Sequence, residues 1–445
     1  MRMLKGLAWL VGIVLIVLVL AFAWGRLRGP SELQSKALVL LDQDMKPTRG
    51  RNAFPAIWLS DYDVPVDQIN LLYAQDRQRV HTWVTKLESE GSVPSDFIAP
   101  SADKYQKLPP LTAEEKELTC GNREENCLSN VRAHRDEVRA LLTRQSVRLR
   151  HDEELGNYDF DWNDLPPNSF TPYPPYGSTH NMWLTSAALD FVEGKSTSAL
   201  QQACTNIANL RRLHGHENTL VGTMVNAVRM EAVANVFVHM VSELPVDQQL
   251  PDTCAEAFAT VGLDDVNLCA SMQWEFRVVV GEIDLADRTK KPTRWLNNLI
   301  FSKIGTQRQK AAQFGWICSD RAHRQLLDDH RFAVTDFPSE ADVFDWLSNA
   351  SGSVLVFIPQ PVYADYLNRQ EDAAATLRLV ATILWLRQTY GSGKTLAERL
   401  PQRPVWMRIT DDRGLQLSSD GRSLHMGYHG PGKTGIIDWP LPAGL

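Results

Sequence analysis

The sequence predicts a mainly α fold: a single N-terminal transmembrane helix, an antiparallel helical body and a small C-terminal antiparallel β element. Three observations predict it. Residues 6–25 carry no charge and are almost entirely Leu, Val, Ile, Ala, Phe and Trp. Apolar residues then recur at helical spacing through most of the chain. Near its end, short alternating segments flank turn-forming residues.

The run 6–25 is long enough, at the helical rise, to cross the hydrocarbon core of a bilayer. Inside lipid every backbone polar group must be satisfied within the segment, which requires a helix. Trp9 and Trp24 sit near its ends, where indoles favour the membrane–water interface. Ala21-Phe-Ala23 also has the small-x-small form of a signal cleavage site. The run is longer than a usual signal core, however, and Arg26 and Arg28 follow at once, so residues 1–30 are read as an uncleaved anchor. Arg2, Lys5 and the α-amine nearly balance those two arginines, giving only a slight bias toward a cytoplasmic N-terminus.

Cysteine usage adds to that bias. The chain has six, Cys120, Cys127, Cys204, Cys254, Cys269 and Cys318, and the first two are separated only by the polar loop GNREEN. An even count with one close pair points to disulfides and an oxidising compartment. No CxxC occurs, which leaves thioredoxin chemistry and zinc ribbons without support. The expected location is a bacterial inner membrane, single-pass, with the body in the periplasm.

The whole chain has 46 basic and 53 acidic side chains, net −7; removing the four basic residues of the first 30 leaves 42 against 53, or −11. An acidic body disfavours nucleic acid and anionic headgroups as partners.

The remaining elements follow in order. The N-terminal helical region, 31–160, contains amphipathic helices over 66–87 and 127–149, each with an apolar stripe. The connection 161–180 includes LPPNSFTPYPPYG, whose prolines preclude a regular helix. The central bundle, 181–350, opens with helices at 181–193, 196–214 and 217–244. The turns between them, GKS and then GH, are so short that the helices must be antiparallel neighbours. Further helices are expected over 266–285 and 340–348. The C-terminal region, 351–445, has a long helix at 364–390, then strands at 405–410 and 415–418 around DDRG, with 423–427 a possible third.

The run STHNMWLTSAALDFVEGKSTSALQQACTNIANLRRLHGHENTLVGTMVNAVRMEAVANVF resembles a group of exported bacterial proteins of uncharacterised activity. Glu217-Asn-Thr-Leu220, the helix bearing Glu275 and Glu282, and residues 376–427 are the similar elements. The resemblance implies a membrane anchor, a helical periplasmic body and a terminal helix plus β-hairpin; it implies no catalytic residue.

Gly391-Ser-Gly-Lys-Thr395 falls short of a phosphate loop, because the required first glycine is Gln388 and a helix precedes it instead of a strand. It reads as a helix C-cap, and no cofactor is expected. His214, His216 and Glu217 are weak metal candidates: the histidines are two apart, which on a helix sends them in different directions. The best place for a ligand is the aromatic and acidic stretch, with Tyr158, Asp159, Asp161, Trp162, Asp164, Tyr173 and Tyr176. Aromatic platforms beside carboxylates bind sugars, and paired carboxylates hydrolyse glycosides. Glu275 and Glu282, seven apart on one helix, could also pair, although an internal salt-bridge network is the plainer expectation.

These features favour a non-catalytic binding or scaffold module for a protein or envelope component, an immunity-type protein being one version. The alternative is an envelope hydrolase acting on glycan or peptide through the aromatic, Asp-rich loop.

Overall fold

The computed structural model describes residues 2–90, 97, 99, 101–121, 127–176, 181–288, 299–338, 341–358, 360–430 and 436–445. Residues 122–126 of the polar loop, 177–180 of the connection and position 340 lie outside them.

Helix α1 (Arg2–Leu27) would extend about 39 Å at the α-helical rise. Its side chains from Lys5 to Leu20 are exposed, whereas most of 21–28, Trp24 and Leu27 excepted, are partly covered. This is one apolar N-terminal helix of membrane-spanning length. Helix α2 (Glu32–Leu41) follows at once, started by a capping box in which Ser31 and Gln34 satisfy each other's backbone amides.

Helix α3 (Ile69–Glu90) packs on the short helix Phe54–Trp58. Together they bury a separate apolar cluster that includes Phe54, Trp58, Leu72, Tyr73, Val80 and Val84. The expected helix 127–149 is three: α4 (Cys127–Ala133), α5 (Arg135–Arg144) and α6 (Ser146–Glu154). His134 and Gln145 leave helical geometry at the two joints.

The centre is the layer α7 (Met182–Val192), α8 (Ser196–His214) and α9 (Leu220–Ser242), with α8 packed between its two neighbours. The short connections have the predicted consequence. Helix α9 is buried on nearly every side, because α13 (Gln360–Gln388) and the C-terminal sheet cover what α8 leaves open. Between α9 and α13 in sequence come α10 (Cys269–Arg288), α11 (Lys303–Ile317) and α12 (Val343–Phe357). Helix α11 joins α10 to α2, and α12 packs on both α1 and α11.

All six cysteines pair. Cys120–Cys127 closes the polar loop, Cys204–Cys254 ties α8 to the segment after α9, and Cys269–Cys318 ties the start of α10 to the end of α11.

The sheet has three antiparallel strands in the order β1 (Gln416–Leu417), β2 (Ser423–Gly427), β3 (Ile436–Pro440). Leu424 opposes Trp439 and Met426 opposes Ile437, so one face is apolar and lies on the core. The expected strand at 405–410 is not formed. Val405–Met407 is a 3₁₀ turn behind Pro404, and β3 takes the third place. The Gly-Ser-Gly-Lys segment ends α13 as expected, with Gly391 and Gly393 at positive φ. Buried Arg413 binds Asp329 and Asp372, each at 2.7 Å, while Asp372 accepts from the amides of His429 and Gly430. That network fastens the sheet to α13.

Candidate functional site

The aromatic, acidic segment is not one site. Its residues divide between a sealed clamp and an open cavity.

Residues 158–165 run between the loop 50–54 and the turn 215–219, and asparagines stand in for missing strand partners on both sides. Asn52 accepts from the Trp162 amide and donates to its carbonyl, both at 2.8 Å. Asn218 accepts from the Asn163 amide at 2.6 Å and donates to its carbonyl at 2.9 Å. Such groups satisfy buried backbone that proline-rich chain cannot pair in a ladder. Asp159 accepts from the Arg51 amide at 2.7 Å, and the Arg51 guanidinium lies 4.9 Å over the Tyr158 ring. Asp164 is bound by Tyr73 and Arg77. Trp162 is buried. Asp159, Asp164 and the two rings are therefore occupied in holding the segment down.

Asp161 faces Glu217. Their backbones form a parallel bridge, and the side chains are only 1% and 3% exposed. Both oxygens of Asp161 and Oε2 of Glu217 lack a partner if both groups are ionised. Two carboxylates cannot share a dry site as anions, so one holds a proton and donates to the other. Burial raises Asp161 to about 6 and, with the neighbouring aspartate, lifts Glu217 well above the ordinary glutamate range. Glu217 Oε1 accepts from the Thr219 hydroxyl at 2.8 Å, and that hydroxyl lies 3.1 Å from the Tyr176 Oη. A Cβ on Gly222 would fall 2.4 Å from the Glu217 carboxyl carbon, so glycine is what admits the pair.

His214, His216 and Glu217 do not converge. His216 is exposed, whereas His214 is buried and accepts from the Gln370 amide at 2.6 Å. Burial lowers His214 to about 4, which keeps it neutral. Among the described residues no three His, Cys, Asp or Glu side chains form a metal-sized group.

Tyr173 and Tyr176 belong to the second arrangement. They wall a cavity of about 660 Å³ completed by α9, α10 and α13. Helix α9 supplies Leu220, Val221, Met224, Val225, Val228 and Arg229; α13 supplies Val362, Tyr363, Tyr366 and Arg369; α10 supplies Glu275. Leu220, Met224 and Val228 recur at helical spacing, giving the cavity an apolar floor. Arg229 is engaged by buried Asp152. Burial, followed by repulsion from Glu282, raises Glu275 to about 7. Their fields, added to burial, also raise the Tyr173 and Tyr363 hydroxyls. The arrangement is therefore an apolar trough with four phenols, the guanidinium groups of Arg229 and Arg369, and one carboxyl that changes charge near neutrality. The expected salt-bridge network around Glu275 gives way to this cavity position. Tyr363 and Tyr366 escaped sequence reasoning; their only signal was an aromatic pair three apart at the start of a helix.

No protein family, curated protein or solved structure matches the chain.

Proposed function

We propose that this chain is a non-catalytic binding module of the bacterial cell envelope, held in the inner membrane by α1 with its body in the periplasm. The observation that carries the reading is the tyrosine-lined cavity. Its apolar floor, four phenols and titratable Glu275 suit an amphipathic envelope component bearing hydrogen-bonding groups. Three disulfides support an oxidising compartment. A topology reporter fused to the C-terminus should be active only outside the cytoplasm, and a cytoplasmic signal would overturn the location. A photoreactive side chain at Val228 should give envelope-component adducts that disappear when Val225→Trp fills the trough. Equal labelling with and without that substitution would remove the cavity from the reading.

One observation favours a hydrolytic alternative, at a different place from the Asp-rich loop. Glu275 lies in the cavity and titrates near 7, where a carboxyl serves as general acid. Glu275→Gln that folds and retains ligand but loses the cellular phenotype would select that reading. Retention of the phenotype would exclude it.

A further inference from the structure

Helix α12 is amphipathic with its faces exchanged. Asp345, Ser348, Asn349, Gly352 and Ser353 are buried, while Val343, Trp346, Leu347, Val354, Leu355 and Ile358 point outward. A helix on the surface of a water-soluble body has the opposite pattern. Part of this inward polar face is held by the anchor and its supports. Asp342 and Asp345 bind Arg28. Asn349 accepts from the Ser302 amide at 2.6 Å and donates to the Thr306 hydroxyl at 3.1 Å.

The backbone leaves helical geometry at Asn349 (φ −147°, ψ 40°). The bend folds the two arms together, since the Trp346 and Phe357 rings stack 6.0 Å apart although the two residues are eleven positions apart in the chain. A straight helix would place those positions about 16 Å apart along its axis.

The first arm runs back along α1 toward the bilayer. Arg28 of the anchor meets Asp342 and Asp345, whereas Gly25, nearer the apolar span, abuts the Phe344 carbonyl and Ser348. The bend that follows Ser348 therefore lies at or beyond the level of Gly25. Leu299, Ile300 and Ile304 are exposed beside Ser302, the residue that Asn349 holds. The apolar surface is thus continuous with the point where the anchor leaves the membrane. Trp346, 42% exposed, has the residue type favoured at that depth.

We propose that the bent helix α12, with Leu299, Ile300 and Ile304, is a second membrane-contacting surface. It rests in the headgroup region of the leaflet from which α1 emerges. Its occupant is lipid, because the surface adjoins a helix that itself enters the bilayer, and an apolar wedge edged by polar groups such as Lys303 and Asp342 is buried favourably in the headgroup region. The contact fixes the orientation of the body relative to the bilayer.

The test uses the full chain in phosphatidylcholine–phosphatidylglycerol vesicles, with a diazirine side chain at Leu347, Ile304, Leu15 or Val405 in separate preparations. Leu15 lies in the anchor; Val405 is 73% exposed and belongs to the C-terminal region. Lipid adducts are expected at Leu347 and Ile304 at no less than a third of the Leu15 yield, and at least tenfold below it at Val405. Lipid labelling of Leu15 without labelling of Leu347 and Ile304 would overturn the proposal. So would adducts at those two sites made only with protein, which would mean that a second copy covers the surface. Neither outcome depends on what the tyrosine-lined cavity binds.

Discussion

Two pairs of carboxyl groups in this chain have opposite surroundings. Asp161 and Glu217 are sealed against each other under the aromatic segment, with Gly222 leaving just enough room. Glu275 stands on the wall of a cavity of about 660 Å³, with Glu282 exposed on the same helix. The first pair is closed to any ligand and acts as a clasp between two chain segments. The second can meet a ligand. Residue type does not separate a structural acid from a functional one; access does.

The sharpest way to break the contrast is to remove one half of the clasp. Glu217→Ala leaves Asp161 buried with no proton donor and creates a void, which should cost about 3–5 kcal/mol in a urea titration. Glu217→Gln keeps a donor of the same shape and should lose less than about 1 kcal/mol. Similar losses for both variants would mean that the pair does not share a proton. Gly222→Ala attacks the same place from the other side. Its methyl would press the Glu217 carboxyl, and about 2–3 kcal/mol should be lost without any change to the cavity lining.

The clasp should also be visible in pH dependence. Asp161 is raised to about 6 and Glu217 further, so between about pH 4 and pH 6 the folded chain binds more protons than the unfolded one. The stability contributed by these protonated groups is complete below the unfolded values near 4 and is lost as pH rises through the folded values. Thermal unfolding at pH 4.5, 6 and 7.5 should show this contribution falling with pH, on the order of a few kcal/mol, and Glu217→Gln should flatten the trend. An equal slope in the variant would assign the dependence to other groups.

How far these regions were legible differs for physical reasons. The anchor and the helix Ser196–His214 were readable because long apolar periodicity and short polar turns are local properties. The strand expected at 405–410 failed because Pro404 and a 3₁₀ turn occupy residues whose alternation looked extended. Strand β3 was missed since five residues ending in proline carry too little pattern. The helix expected to stop at Ser348 continues to Phe357, bent at Asn349. Tyr173 and Tyr176 line the open cavity, but Asp161 was grouped with them because its partner, Glu217, is remote in sequence. Burial of a carboxyl is a tertiary property, and no spacing rule reveals it.

The smallest effect on stability belongs to the cavity and sharpens the comparison most. Glu275→Gln removes a group that burial and Glu282 have already brought to about 7, so near neutrality the folded chain gives up only a partly populated charge. Its stability should change by less than about 1 kcal/mol. What should change is ligand capture: with Glu275 present, adduct formation at Val228 should vary between pH 6 and pH 8 as the carboxyl ionises, and with glutamine it should be level. The sign identifies the ligand's polarity. Capture that strengthens with rising pH means the carboxylate attracts a cationic group, assisted by the four phenol rings, whereas capture that weakens means the neutral acid donates a hydrogen bond. An unchanged pH profile in Glu275→Gln would show that this carboxyl, despite its position, is as structural as the sealed pair.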